Sequence, residues 1–202
     1  MKGKKESVWL KVAFFAAFLF LIICFITAWI QKVSYRIDST FQGLFLVWLF
    51  WKRKKLGIEP WVLVGVIIAV LMNNSGLFGA YNWVFLNLGY DKWLHLVSGF
   101  FFTLAIYQFL GNRKVAKGWL LFAMAFLIWT GLGAIEEMAE FIGSVYLGVS
   151  QGFLAQAAGE AFYPVSDLVR YDPLWDMLFN VFGSVTAGAV LWVKKIISNK
   201  ST

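Results

Sequence analysis

The stretch Val12–Ile30, VAFFAAFLFLIICFITAWI, runs for nineteen residues without a charge. A helix needs roughly 20 apolar residues, at about 1.5 Å each, to cross the hydrocarbon of a bilayer. The apolar core of a secretory signal is usually about 7–15 residues long and ends at a small-x-small cleavage site. No such site precedes Gln31. The run therefore reads as an uncleaved first span, and it makes lipid the solvent in which the rest of the chain is read.

Composition agrees. Of the 202 residues 60% are hydrophobic and 14% charged, against about 25% charged in soluble domains. That is too few charges to cover a soluble surface of this size. Working outward, apolar segments at Val8–Ile30, Ile37–Trp51, Trp61–Gly79, Trp93–Leu110, Gly118–Ile142 and Pro173–Ile197 predict an all-α, polytopic transmembrane bundle of about six spans. Residues 1–202 read as one integral membrane domain, with 1–60 a two-span extension on a core of 61–202. The second segment is short for a span and competes with an interfacial helix. Asn73–Tyr90 reads as an aromatic belt at the interface. Gly143–Tyr171 reads as a long connection with room for a re-entrant or interfacial helix.

The formal charge of +7 in a soluble protein would suggest nucleic acid. Here the basic residues fall in four groups between spans: Lys2, Lys4, Lys5 and Lys11; Lys52–Lys55; Arg113, Lys114 and Lys117; Lys194, Lys195 and Lys200. If all six segments cross, these fourteen share one face and only Lys32, Arg36, Lys92 and Arg170 lie on the other. Basic residues are held at the cytoplasmic face, so both termini are expected inside and nucleic acid is not an expected partner. The single cysteine, Cys24, sits in the first apolar run and forms no intramolecular disulfide.

The acidic residues gather at the opposite, outer ends. Asp91 and His95 are four apart at the start of the fourth span, and Gly99 continues that face. Glu136, Glu137 and Glu140 end the fifth span. Asp172, Asp176 and Asn180 form one stripe on the sixth, extended by Gly183. Adjacent Glu136 and Glu137 point about 100° apart, so one of them is expected to join Glu140. Lys92 is expected to point off the Asp91 face. Each group alone has an ordinary explanation: a helix-start ion pair, a solvated helix end, or Asp and Pro173 in a first turn. Together they put several carboxylates and one imidazole at one depth in the membrane, where ionisable groups need partners. Such a set calls for shared protons or a bound cation, and oxygen ligands with one nitrogen suit Mg, Mn, Ca or Zn.

DKWLHLVSGF (Asp91–Phe100), EMAEF (Glu137–Phe141) and DPLWDMLFNVFG (Asp172–Gly183) resemble the VanZ-like superfamily, and most closely the YjdF-like inner-membrane proteins of unknown function. The resemblance covers about Asp91 to Gly188. VanZ proper has Gln where this chain has Glu140. Membership of VanZ proper would imply lowered susceptibility to lipoglycopeptide antibiotics at the cell envelope. Intramembrane proteases, three-histidine zinc hydrolases and lipid phosphatases need more histidines than His95 alone.

The resulting expectation is a multi-pass protein of the cytoplasmic membrane, in contact with its lipids. Its metal ligands are read as His95, Glu137, Glu140, Asp172 and Asp176, with Asp91, Glu136 and Asn180 completing a polar site. If it acts as an enzyme on an anionic envelope lipid or precursor, His95, Glu140 and Asp176 are the catalytic candidates. The alternatives are a proton or ion relay without catalysis, or a structural envelope-stress factor. The topology is directly testable: a membrane-impermeant thiol reagent added outside should label cysteines placed at Ser150 or Gln151, but not at Asn112 or Ser198. Labelling at Asn112 in intact cells would exclude this arrangement.

Overall fold

The computed structural model describes residues 8–146 and 165–200. It is a bundle of six helices: α1 (Val8–Gln31), α2 (Tyr35–Leu56), α3 (Pro60–Ser75), α4 (Tyr90–Asn112), α5 (Gly118–Tyr146) and α6 (Val165–Lys200). Two 3₁₀ turns, Gly76–Phe78 and Ala80–Asn82, lead from α3 into a small hairpin of β1 (Val84–Phe85) and β2 (Leu88–Gly89). The all-α membrane bundle expected from the sequence is the fold observed. α1, α3 together with the 3₁₀ turn that follows it (Pro60–Phe78), α4, α5 and the Asp172–Asn199 part of α6 are long and apolar enough to cross a membrane.

Three expectations change in detail. α2 is 22 residues long, about 33 Å at 1.5 Å per residue, and no shorter than a roughly 30 Å hydrocarbon core. Its charges sit at the ends, Arg36 and Asp38 at one and Lys52–Lys55 at the other, which is why hydropathy alone truncates it. α6 begins at Val165, so Pro173 lies inside the helix instead of opening it. The Asn73–Tyr90 stretch carries the 3₁₀ turns and the hairpin, with Trp83, Val84, Phe85 and Leu86 exposed. Residues 147–164, within the long connection, lie outside the described residues.

Helices consecutive in the chain run antiparallel, so α4 and α6 run parallel to each other, and the bundle has two distinct ends. At the basic end, Phe14 near the start of α1 stacks on Phe50 near the end of α2 with ring centroids 4.0 Å apart. Asn112 Nδ2 donates to the Lys55 carbonyl at 2.9 Å, and Lys194 lies 3.5 Å from Glu59. At the opposite end Ser75 and Tyr90 share a 2.8 Å hydrogen bond. There, too, Ser39 donates to Asn74 Oδ1 at 2.8 Å. One apolar core joins α1, α2 and α3 to Leu104 of α4 and Ala187 of α6. Large apolar side chains such as Phe15, Leu19, Trp119, Leu127 and Trp192 face outward, as lipid contact requires and water would penalise.

The closest helix pair is α4 with α6. A Cβ at Gly183 would stand 2.2 Å from the Leu96 carbonyl oxygen, and one at Gly99 would stand 2.4 Å from that of Asn180. Small residues let membrane helices approach backbone to backbone, where van der Waals contact and interhelical hydrogen bonds replace the hydrophobic effect. Beside this crossing Thr103 donates to Ser184 Oγ at 2.8 Å. The Ser184 hydroxyl in turn reaches the carbonyls of Asn180 at 2.9 Å and Gly99 at 3.3 Å. Gly183→Ala should therefore destabilise the protein by about 1–3 kcal/mol through overpacking. Gly131→Ala, where a Cβ meets nothing within 4 Å, should be neutral or stabilise by up to about 1 kcal/mol through helix propensity. Equal melting temperatures for the two variants in detergent would contradict the crossing.

Candidate functional site

The Gly99–Gly183 crossing holds the first turns of α4 against the polar stripe of α6. Asp91, Lys92, His95, Asp172, Asp176 and Asn180 are all buried there. Lys92, expected to point away, instead turns into the site. Its Nζ lies 2.6 Å from Asp172 Oδ1, 2.7 Å from Asp176 Oδ1 and 3.6 Å from Asp91 Oδ2. One residue on from Asp91, a lysine faces about 100° round the helix. That direction is toward α6, and its long flexible stem carries the ammonium to the carboxylates.

His95 sits at the centre. Its Nε2 is 3.5 Å from Asp91 Oδ1, 3.7 Å from Glu137 Oε1 and 3.7 Å from Asp176 Oδ1. Its Nδ1 is 3.0 Å from Asn180 Nδ2. The orientation of that amide is set from behind, because Trp129 Nε1 donates to Asn180 Oδ1 at 3.3 Å. The amide nitrogen then donates to Nδ1, so the imidazole carries its proton on Nε2, facing three carboxylates. Trp129 and Asn180 thus fix the ring and its tautomer through this chain of hydrogen bonds. A Cβ at Gly133 would come within 2.9 Å of Asn180 Nδ2, so this glycine lets α5 pass beside the amide.

The three glutamates of α5 divide between two faces. Glu137 turns to His95, and its buried Oε1 has no hydrogen-bond partner among the described residues. Glu136 and Glu140, one turn apart, line a cavity of about 320 Å³ together with Asp91, His95 and Asn180. Tyr81 also lines this cavity and donates to Asn73 Oδ1 at 2.9 Å. Burial first, then the negative charge of Asp91, pushes its phenol well above the ordinary range, so it stays a donor.

The structure thus brings together His95, Glu137, Asp172 and Asp176 from the expected ligand set, and adds Asp91 and Lys92 to their contacts. Ligand atoms of Asp91, His95 and Asp176 all lie within 4.8 Å of one another. Asp172 is engaged by Lys92, and Glu140 faces the cavity beside Glu136. Sequence reasoning missed Lys92 and Trp129. The signal for the lysine was present in its position beside Asp91 in a segment otherwise free of cations. Nothing in the local pattern marks one of eleven tryptophans as the partner of Asn180.

Removing Lys92 would strand buried carboxylates, and breaking one side of a buried ion pair costs about 3–5 kcal/mol. Lys92→Met should therefore melt well below wild type, and Lys92→Met with Asp172→Asn should recover part of that loss. A double variant no more stable than the single one would contradict the compensation.

No curated protein and no solved structure matches the chain. The sequence does match, over residues 8–195, the family described as predicted membrane protein (DUF2238). That span takes in α1 to α5 and α6 as far as Lys195, every group of the site included. A six-helix bundle with apolar outer faces and a match of this extent agree, and the chain belongs to this family of predicted membrane proteins.

Proposed function

We propose that this protein binds a divalent cation, Mg, Mn, Ca or Zn, in the buried site and uses it to engage the phosphate of an anionic envelope lipid or precursor. The observation that carries the reading is the unpartnered Glu137 Oε1, buried 3.7 Å from His95 Nε2. It adjoins a triad of Asp91, His95 and Asp176 whose ligand atoms lie within 4.8 Å of one another. Metal–ligand distances of about 2.0–2.6 Å allow two ligands of one ion to stand that far apart. A buried carboxylate oxygen without a partner is costly, and a cation is the ligand that would relieve it. Asp91, Asp172, Asp176 and Glu137 face Lys92 and His95, a balance that leaves room for further positive charge.

In this reading Asp91, Asp176, His95 and Glu137 are ligands, and Lys92 and Asp172 hold Asp176 in place. Glu140 and Glu136 line the cavity where a substrate head would lie, and Glu140 is placed to act as a base. The basic end of the bundle is cytoplasmic, both termini are inside, and the site opens toward the outer leaflet of the cytoplasmic membrane. The division into a two-span extension and a core, and the wider kinship with VanZ-like proteins, belong to the same proposal.

A second reading, a proton relay, is favoured by one specific contact. Asn180 donates to Nδ1, so His95 presents an N–H to the carboxylates. Coordination through Nε2 would displace that proton, so cation uptake should release a proton and weaken as pH falls. Metal analysis of protein purified without chelators separates the two. The first reading expects about one divalent ion per chain, lost in Asp176→Asn while that variant stays folded in metal-free buffer. Wild-type protein that is metal-free, and whose melting temperature none of the four ions raises, would overturn it in favour of the relay.

A further inference from the structure

We infer that the acidic cavity is the head end of a longer binding site, whose remainder is a groove for one hydrocarbon chain of a membrane phospholipid. The inference rests on the proposal that this site receives a phosphate-bearing head.

A second cavity, of about 390 Å³, lies between α2 and α5 over the surface of α4. Every residue along it is apolar, and it shares Phe45, Phe102 and Trp129 with the acidic cavity. These three form the threshold between the two spaces. Phe102 and Trp129 stack at 4.3 Å with planes 3° apart, and Phe45 stacks on Phe102 at 6.2 Å. Trp129 itself faces both ways: its N–H belongs to the Asn180–His95 chain while its ring lines the apolar groove. An indole with one wet end and one apolar face is the side chain suited to the boundary between a head group and its tail.

Dimensions and surroundings commit the occupant. From His95 in the polar cavity to Phe109 at the far end of the groove is fourteen residues of α4, about 21 Å at 1.5 Å per residue. One leaflet occupies about 15 Å, half of a roughly 30 Å hydrocarbon core. The apolar groove takes up the last seven of these residues, Phe102 to Phe109, about 10 Å, so it holds the distal part of one acyl chain while the head rests among Asp91, Glu136 and Glu140. Trp48 and Leu132 at the rim are about half exposed, 49% and 50%, so the groove opens sideways to the lipid. A soluble ligand would have no use for an apolar channel of this length, and a peptide would leave its backbone groups without partners there.

The experiment uses the full chain in phosphatidylcholine vesicles containing phosphatidylglycerol with a photoactivatable diazirine at the end of one acyl chain. After illumination, adducts should concentrate on the α4 and α5 segments around Ala105, Phe109 and Leu132. Ala105→Trp, which fills the groove, should reduce them roughly tenfold or more, as a loss of about 1.4 kcal/mol of binding would. Leu132→Trp, at the exposed rim where folding is undisturbed, should also reduce them. Adducts spread over lipid-facing positions such as Phe15 and Leu19 of α1, and unaltered in both variants, would overturn the groove. Localised adducts on protein that is purified metal-free and that none of the four ions stabilises would refute the cation and keep the groove. Diffuse adducts on metal-loaded protein would do the reverse.

Discussion

The site depends on the backbone-to-backbone approach of α4 and α6 at Gly99 and Gly183. In lipid no hydrophobic effect draws two helices together, so contact distance must come from the side chains at the crossing. Where each glycine presents only hydrogen to the facing carbonyl, the helices meet closely enough for Thr103 and Ser184 to hydrogen-bond between them. The polar residues one and two turns toward the acidic end are then held within reach of one another. A wider crossing would part Lys92 from Asp172 and Asp176 and leave each as an isolated charge, which the membrane interior disfavours by several kcal/mol.

Charge compensation is the second constraint, and it follows from the first. Six carboxylates on α4, α5 and α6 gather around one lysine, Lys92, and one histidine, His95. Lys92 takes the two aspartates of α6, and His95 takes Asp91, Asp176 and Glu137. The ring cannot turn, because Asn180 holds its other nitrogen and Trp129 holds Asn180. Such a chain of hydrogen bonds fixes the imidazole far more narrowly than its own rotamer preference would. Among the described residues the buried Glu137 Oε1 has its ion-pair contact with His95 at 3.7 Å but no hydrogen bond.

Trp129 also joins the polar site to the apolar groove. A membrane protein with a buried polar site must meet two solvents within a few ångströms. Here the change occurs across one stacked set of rings, with carboxylates on one side and only hydrocarbon on the other. The cleft exists because α2 and α5 flank α4 along its length. α2 is the helix whose end charges hide it from hydropathy, yet it supplies Phe45 and Trp48 to the groove.

Hydrophobic run length by itself determined the solvent, the helical class and nearly every helix, because a backbone in hydrocarbon must satisfy its own hydrogen bonds. Four-residue spacing also placed Asp91 with His95, and Asp172 with Asp176 and Asn180, on shared faces, since that periodicity is local to a helix. Helix ends were less legible: α6 starts before Pro173, and α2 continues into its lysines, because tertiary contacts decide how far a helix runs past its apolar stretch. What only the tertiary structure decided was rotation about each helix axis. It sent Glu137 to His95 while turning Glu136 and Glu140 to the cavity. It also aimed Lys92 inward and chose Trp129 to hold Asn180. Each helix can be read alone for which residues share a stripe, but the direction of that stripe is set by packing against neighbours distant in the chain.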